Sequence, residues 1–265
     1  MSTWGSAAGR RAAESYERDW VPAMLQEWAT RITVAAEIAS GHRVLDVGCG
    51  TGVVARECAR IVGGTGRVTG LDISADMLSV ARRISPDIDW EQGEAGSLPF
   101  AESSFDRVLS QFALMFFPDR SMAVTEMWRV LKPGGRLAVV VSGPIEETPA
   151  YVALIELVSR YVGDSAADMK SRFVLGDPAE IEGIFTSAGI PDFKIETQWA
   201  AEQFGSPAKF VEAELRSSAK LLELFDDASL AVLLRDANRE PAFPVTEEGL
   251  MEFQSPAHLV TATKK

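Results

Sequence analysis

Arg43-Val44-Leu45-Asp46-Val47-Gly48-Cys49-Gly50-Thr51-Gly52 is the stretch on which the reading of this chain turns. Val44, Leu45 and Val47 make a short apolar run, the pattern of a strand buried on both faces of a parallel sheet. Gly48, Gly50 and Gly52 follow at once. Glycine tolerates positive φ and lets a ligand come close to the backbone, so three of them after a buried strand predict a ligand-hugging turn. Val53 to Ile61 continues as a helix. Strand, glycine turn and helix together predict a doubly wound α/β fold that binds its ligand at the carboxyl ends of the strands.

Spacing narrows the ligand. The dinucleotide pattern G-x-G-x-x-G wants its third glycine at position 53, which is Val53; the register is G-x-G-x-G instead. Asp46 sits in the strand ahead of the first glycine, badly placed for a pyrophosphate but able to help hold an ammonium group. A cationic, phosphate-free ligand is favoured. The run V-L-D-V-G-C-G-T-G resembles the first motif of the class I S-adenosylmethionine-dependent methyltransferases.

Further stations along the chain support that resemblance. A second strand, Arg67 to Leu71, ends at Asp72, about 24 residues after the first glycine and near the ~20-residue spacing at which an acid meets ribose hydroxyls. A helix cap is the ordinary role for Asp72, one that Ser74 or Asp76 can also fill. The resemblance implies that Ile73 and Met77 cover an adenine ring. After a third strand at Ile88 to Trp90, Glu94 and Ala95 in E-Q-G-E-A-G-S-L-P-F stand where the family usually has G-D-A, so Glu94 replaces an Asp that reads the adenine amine. One added methylene changes its reach.

The fourth strand, Arg107 to Ser110, runs into S-Q-F-A-L-M-F-F-P-D. The end of a strand beside the first borders the reacting group in this kind of sheet. Gln111 is therefore a candidate for the cofactor's amino-acid end or a substrate oxygen, and Phe112, Met115, Phe116 and Phe117 for an apolar wall; core packing is the plainer role for at least two of them. Asp119 to Leu131 reads as a helix stopped by the K-P-G-G-R that follows, before a fifth strand at Leu137 to Val141. Together, D-V-G-C-G-T-G, G-x-D-x-S, L-P-F and L-K-P-G-G resemble most closely the family around the ubiquinone and menaquinone C-methyltransferases. That family acts on many small substrates.

The resemblance implies a Rossmann-like, seven-stranded α/β sheet, mostly parallel with its last strand antiparallel, in a single domain over residues 1–265. Residues 1–40 are expected to be a helical cover, 41–142 the cofactor-binding core, and 143–265 a half carrying helical insertions at about 144–176 and 200–249. A sixth strand is predicted at Phe193 to Trp199 and a last at Ala257 to Ala262. Trp4, Tyr16, Trp20, Met24, Leu25 and Trp28 give the N-terminal segment an aromatic face that must be covered. The plain reading is packing on the sheet; the functional one is a lid, with Tyr16 reaching the active site as family members' N-terminal tyrosines do.

Composition bounds the rest. The chain has 265 residues, 46% hydrophobic and 24% charged, with a formal charge of −12. It offers neither a membrane-length apolar run nor the basic footprint of a nucleic-acid binder. A small-molecule substrate, a cytoplasmic location and a monomer or homodimer are expected. Cys49 and Cys58 make no disulfide framework or metal set. Methyl transfer from a sulfonium needs in-line positioning near 3 Å, worth up to about 7 to 11 kcal/mol, and a base only for a protonated nucleophile. His42 and His258 both read as structural. Tyr16, Glu146 and Glu147 are the candidate acid/base groups, Tyr16, Phe112 and Phe116 the candidate substrate contacts, and no metal is expected. A cofactor-holding binding protein, or a non-methylating enzyme on the same fold, is the alternative; a nicotinamide oxidoreductase is disfavoured by Val53.

Overall fold

The computed structural model describes residues 7–265; Trp4 lies outside the described residues. Among them, β1 (Arg43–Val47), β2 (Arg67–Asp72), β3 (Asp89–Gln92), β4 (Phe105–Gln111), β5 (Leu131–Ser142), β6 (Phe193–Phe204) and β7 (Met251–Thr263) form one sheet in the order 3-2-1-4-5-7-6. The strands from β3 to β5 pair in parallel, and β7 runs antiparallel to both neighbours. Strand order reverses between β1 and β4, which opens the crevice where such sheets bind ligands.

Period-two alternation divides the core. Val44, Leu109, Ala138 and Val140 face one layer, while Leu45, Val47, Val108, Leu137, Val139 and Val141 face the other. The first layer is covered by a π-helix (Tyr16–Leu25), α2 (Gln26–Ala35) and α3 (Val53–Val62); α1 (Ala7–Ser15) packs on the π-helix and on α4 (Ala75–Ile84), which also packs against β3. The second is covered by α5 (Arg120–Val130) and α7 (Pro178–Ser187).

The N-terminal cover is one helical run in three segments. Pro22 has no N–H to donate and its ring crowds the carbonyl a turn before it, so an α ladder fails there. A ten-residue π segment absorbs the fault, and Gln26 N–H reaches back to Val21 O. This turn of the helix buries Trp20, Met24 and Leu25, with Trp28 following on α2, so these four side chains have the packing role.

The second half departs from the predicted bounds in three places. β5 begins at Leu131, which pairs with Phe105; Lys132 to Gly135 bulge out of the ladder before it resumes at Arg107↔Arg136. L-K-P-G-G is thus a bulge within a strand as well as a helix stop, and Gly134, at φ +77, donates to Lys264 O. β6 runs to Phe204 rather than Trp199, and β7 starts at Met251 rather than Ala257, paired along their whole length. Two adjacent polar residues, Glu202 on the buried face and Gln203 on the exposed one, hid that extension. Helical cover then comes from α6 (Pro149–Val162), a 3₁₀ segment (Gly163–Phe173), α8 (Pro207–Ser217), α9 (Ala219–Leu222) and α10 (Asp227–Ala237). Among the described residues no helix is long and apolar enough to cross a membrane.

Candidate active site

The three glycines of the turn have different jobs. A Cβ on Gly48 would lie 2.5 Å from Ala113 Cβ, and one on Gly52 2.2 Å from the Trp90 ring, so protein side chains fill those spaces. Gly50 is the open one. Its Cβ position is 3.6 Å from the Tyr16 ring and 3.8 Å from the Tyr16 hydroxyl, with no nearer neighbour. Trp90 therefore sets the need for small residues at Gly52 and, with a Cβ distance of 2.4 Å, at Gly70 on β2. The motif alone could not separate these roles.

Asp72, at the end of β2, bridges to the turn. Its Oδ2 accepts from Gly50 N at 2.8 Å and its Oδ1 from Ser74 N at 2.8 Å, while Ser74 caps α4 by accepting from Met77 N. The Ile73 N–H also acts on this carboxylate, whose roughly four acceptor sites are not all taken up by the three backbone donors. Burial raises its pKa, opposed by those backbone donors. Asp46 is 1% exposed, on the Val44 side of β1, and its Oδ2 accepts from Ala55 N at 3.1 Å. Because Gly52 has no side chain to cap α3, the strand carboxylate supplies the acceptor that a helix N-terminus needs. Burial pushes Asp46 up to about 7.

Tyr16 is held over Gly50 by its neighbour: Glu17 accepts from Arg56 at 2.8 Å, and Arg56 also donates to Thr51 O at 2.6 Å. Burial raises the phenol pKa strongly, helped by the charge of Asp72 and opposed by Arg172. Tyr16 thus stands between the glycine turn and the C-terminal cover. Gln111 is buried at the end of β4, donating Nε2 to Leu25 O at 3.1 Å, and its Oε1 has no partner. Phe112 follows with φ +50, a left-handed conformation rare for a bulky residue, its ring edge-on to Trp28 at 5.8 Å.

The other expected residues scatter. Ile73 is 53% exposed and Met77 half-buried, both beside Asp72, whereas Glu94 is exposed and Ala95 half-buried in the turn after β3. Phe116 is 59% exposed, and Met115 is buried in the core. Glu146 and Glu147 lie exposed on the 3₁₀ turn Ile145–Glu147. His42 Nδ1 accepts from Ala39 N. Buried His258 donates from Nε2 to Gly176 O at 2.8 Å and so accepts at Nδ1 from Thr197, a structural arrangement.

A buried polar cluster, absent from the sequence reading, lies beyond Phe112. A water-sized cavity of about 10 Å³ is lined by Met24, Phe112, Ser142, Tyr151, Arg172 and Glu202, among others. Tyr151 (α6) donates to Glu202 Oε2 (β6) at 2.9 Å, and Ser255 (β7) to Oε1 at 2.5 Å. Arg172 donates to the Tyr151 phenol oxygen, Oη, at 3.1 Å and pairs with Glu214 on α8; its guanidinium lies over the rings of Trp20, Tyr151 and Phe173. Tyr151, Arg172, Glu202, Glu214 and Ser255 come from five separate elements, and no local pattern links them.

Residues 45–139 match the family model described as a methyltransferase domain. The chain is 38% identical over 125 residues to the ubiquinone/menaquinone biosynthesis C-methyltransferase UbiE of Saccharophagus degradans, covering 45% of this chain and 48% of that protein. It is 31% identical over 185 residues to the demethylmenaquinone methyltransferase of Staphylococcus saprophyticus, covering 64% and 79%. The chain spans about half the length of several curated relatives it matches. In fold it is similar to the YcgJ protein of Bacillus subtilis, with a TM-score of 0.61 at 20% identity over 90% of this chain and 99% of that one. The chain belongs to the S-adenosylmethionine-dependent methyltransferase family.

Proposed function

We propose that this chain transfers a methyl group from S-adenosylmethionine to a small, partly apolar molecule. The observation that carries the reading is the link from Asp72 to Gly50: an acid with free lone pairs is locked against an open glycine backbone, at the strand ends where the order reverses. The residues present suit the cofactor. Asp72 offers acceptors for two vicinal hydroxyls, and Ile73 and Met77 offer apolar cover for a ring. The unpartnered Gln111 Oε1 suits an ammonium donor. Asp46, engaged with α3, acts on that ammonium through its charge and by fixing the turn. When bound, the cofactor supplies an activated methyl group on sulfur; the chain's part is to hold an acceptor in line and exclude water.

Calorimetric titration with S-adenosylmethionine, S-adenosylhomocysteine and NAD tests this. Micromolar binding of the first two without NAD supports it, and binding of NAD alone, or of nothing, removes it. Binding without turnover of any labelled methyl group across a substrate panel would move the chain to the cofactor-holding alternative.

A further inference from the structure

Glu202 is a carboxylate in an unusual setting. It is 2% exposed, yet its two oxygens take neutral hydroxyls, Tyr151 and Ser255, rather than a cation. The cation of the cluster, Arg172, gives its direct ion pair to Glu214. A buried carboxylate without a cationic partner is costly to keep ionised. Tyr151 O–H and Ser255 O–H leave one lone pair free on each oxygen, and Glu202 lines the cavity with Phe112 and Ser142. Phe112 and Ser142 stand at the ends of the adjacent strands β4 and β5; Ala113, next to Phe112, fills the space beside Gly48, and Tyr16 over Gly50 feels the charges of both Asp72 and Arg172, so the cavity borders the crevice at the strand ends.

We propose that Glu202 is the proton acceptor for a hydroxyl-bearing substrate, an apolar alcohol or phenol seated against Met24, Phe112 and Phe173, with Tyr151 and Ser255 as positioning residues. The proposal rests on the methyltransferase reading above. A neutral hydroxyl suits this cavity better than an ammonium, because the Arg172 guanidinium already lies against Tyr151 and would repel a second cation. As the acceptor oxygen forms its new bond to the methyl carbon, its proton passes to a Glu202 oxygen. The electron pair of the broken carbon–sulfur bond stays on sulfur, which becomes a neutral thioether, and Glu202 later returns the proton to water. General-base assistance of this kind contributes about 10²–10⁴ in rate. The cavity is water-sized, so a ring enters only with an outward shift of the 3₁₀ segment that carries Arg172 and Phe173. Such i→i+3 ladders are weak.

The ionisation of Glu202 is set by groups on every element around it: Tyr151 from α6, Arg172 from the 3₁₀ segment, Glu214 from α8 and Ser255 from β7. Burial dominates and raises its pKa, while Arg172, Ser255 and Tyr151 oppose the shift. Phenol binding should accordingly appear as pH rises through the pKa of Glu202.

The experiment uses the full chain saturated with S-adenosylhomocysteine, titrated with 4-nitrophenol and with its ether 4-nitroanisole, which lacks the donor. Calorimetry gives affinity, and the absorption spectrum shows whether the bound phenol has lost its proton. The wild type is expected to bind 4-nitrophenol at least tenfold more tightly than the ether, in the ionised form. Glu202→Gln should erase that preference while S-adenosylhomocysteine affinity stays within twofold. Ser255→Ala removes one donor to the carboxylate and should move the pH midpoint of phenol binding upward; if Glu202→Gln does not fold, this variant decides alone. Equal affinity for the two probes, a preference that survives Glu202→Gln, an unmoved midpoint in Ser255→Ala, or no phenol binding where S-adenosylhomocysteine binds would each overturn the role of Glu202 and leave the cofactor reading standing. Failure of S-adenosylhomocysteine itself to bind would remove both.

Discussion

Asp72 and Asp46 stand 26 positions apart at the ends of adjacent strands, and their chemistry differs because their partners do. Asp72 joins the glycine turn and keeps acceptor capacity toward the crevice, so Asp72→Ala should weaken S-adenosylmethionine binding at least tenfold, about 1.4 kcal/mol, by calorimetry. Unchanged affinity would refute that role. Asp46 lies on the same face of the sheet but is engaged by the first turn of α3. Its carboxyl is raised to about 7 from an ordinary value near 4, so the folded chain holds the proton more tightly than the unfolded one. That contribution is fully present below about 4 and is lost as pH rises through about 7. Urea unfolding at pH 5 and pH 8 should show the wild type losing roughly 2 to 3 kcal/mol relative to Asp46→Asn over that interval. Parallel pH profiles for the two proteins would contradict the assignment. The sequence showed both acids but only one of the jobs: a strand carboxylate reaching a helix N-terminus nine residues on depends on how the turn folds.

Among the elements, the strand–turn–helix unit was the most legible, because a buried strand, three glycines and a helix must follow each other in a few residues. What filled the space beside that unit was not legible. Trp90 read as one strand residue among several, yet its ring explains two glycines on two other elements. Gly70→Ala would drive a methyl group to 2.4 Å from that ring and 3.0 Å from Cys49 Sγ. Overpacking of this kind costs about 1 to 3 kcal/mol, and a lowered denaturation midpoint should report it. The C-terminal cover was legible as helices and opaque as chemistry, since Tyr151, Arg172, Glu202, Glu214 and Ser255 meet only when five elements dock. Arg172→Met would leave Glu214 buried and unpaired, at about 3 to 5 kcal/mol, and Arg172→Met/Glu214→Leu should recover part of that loss. A harmless single change, measured by urea unfolding, would show the ion pair to be incidental.

For the whole molecule, a ligand that binds only the folded chain raises its stability by mass action. S-adenosylhomocysteine at a hundred times its Kd should add about 2.7 kcal/mol, a rise in Tm of roughly 5 to 10 °C for a chain of this size. No shift at saturation would argue against a folded site. The order of the sheet carries a further consequence, for synthesis rather than for binding. β7 is the last strand in sequence, from Met251, yet it lies between β5, which ends at Ser142, and β6. While the chain emerges from a ribosome, β5 therefore waits with an open edge through all of α6 to α10, and β6 has no partner within the sheet. Open edges of this kind invite pairing with other chains. A nascent chain halted before Met251 should thus be the form most exposed to aggregation and most dependent on chaperones, and release of the final strand should close both edges in one step.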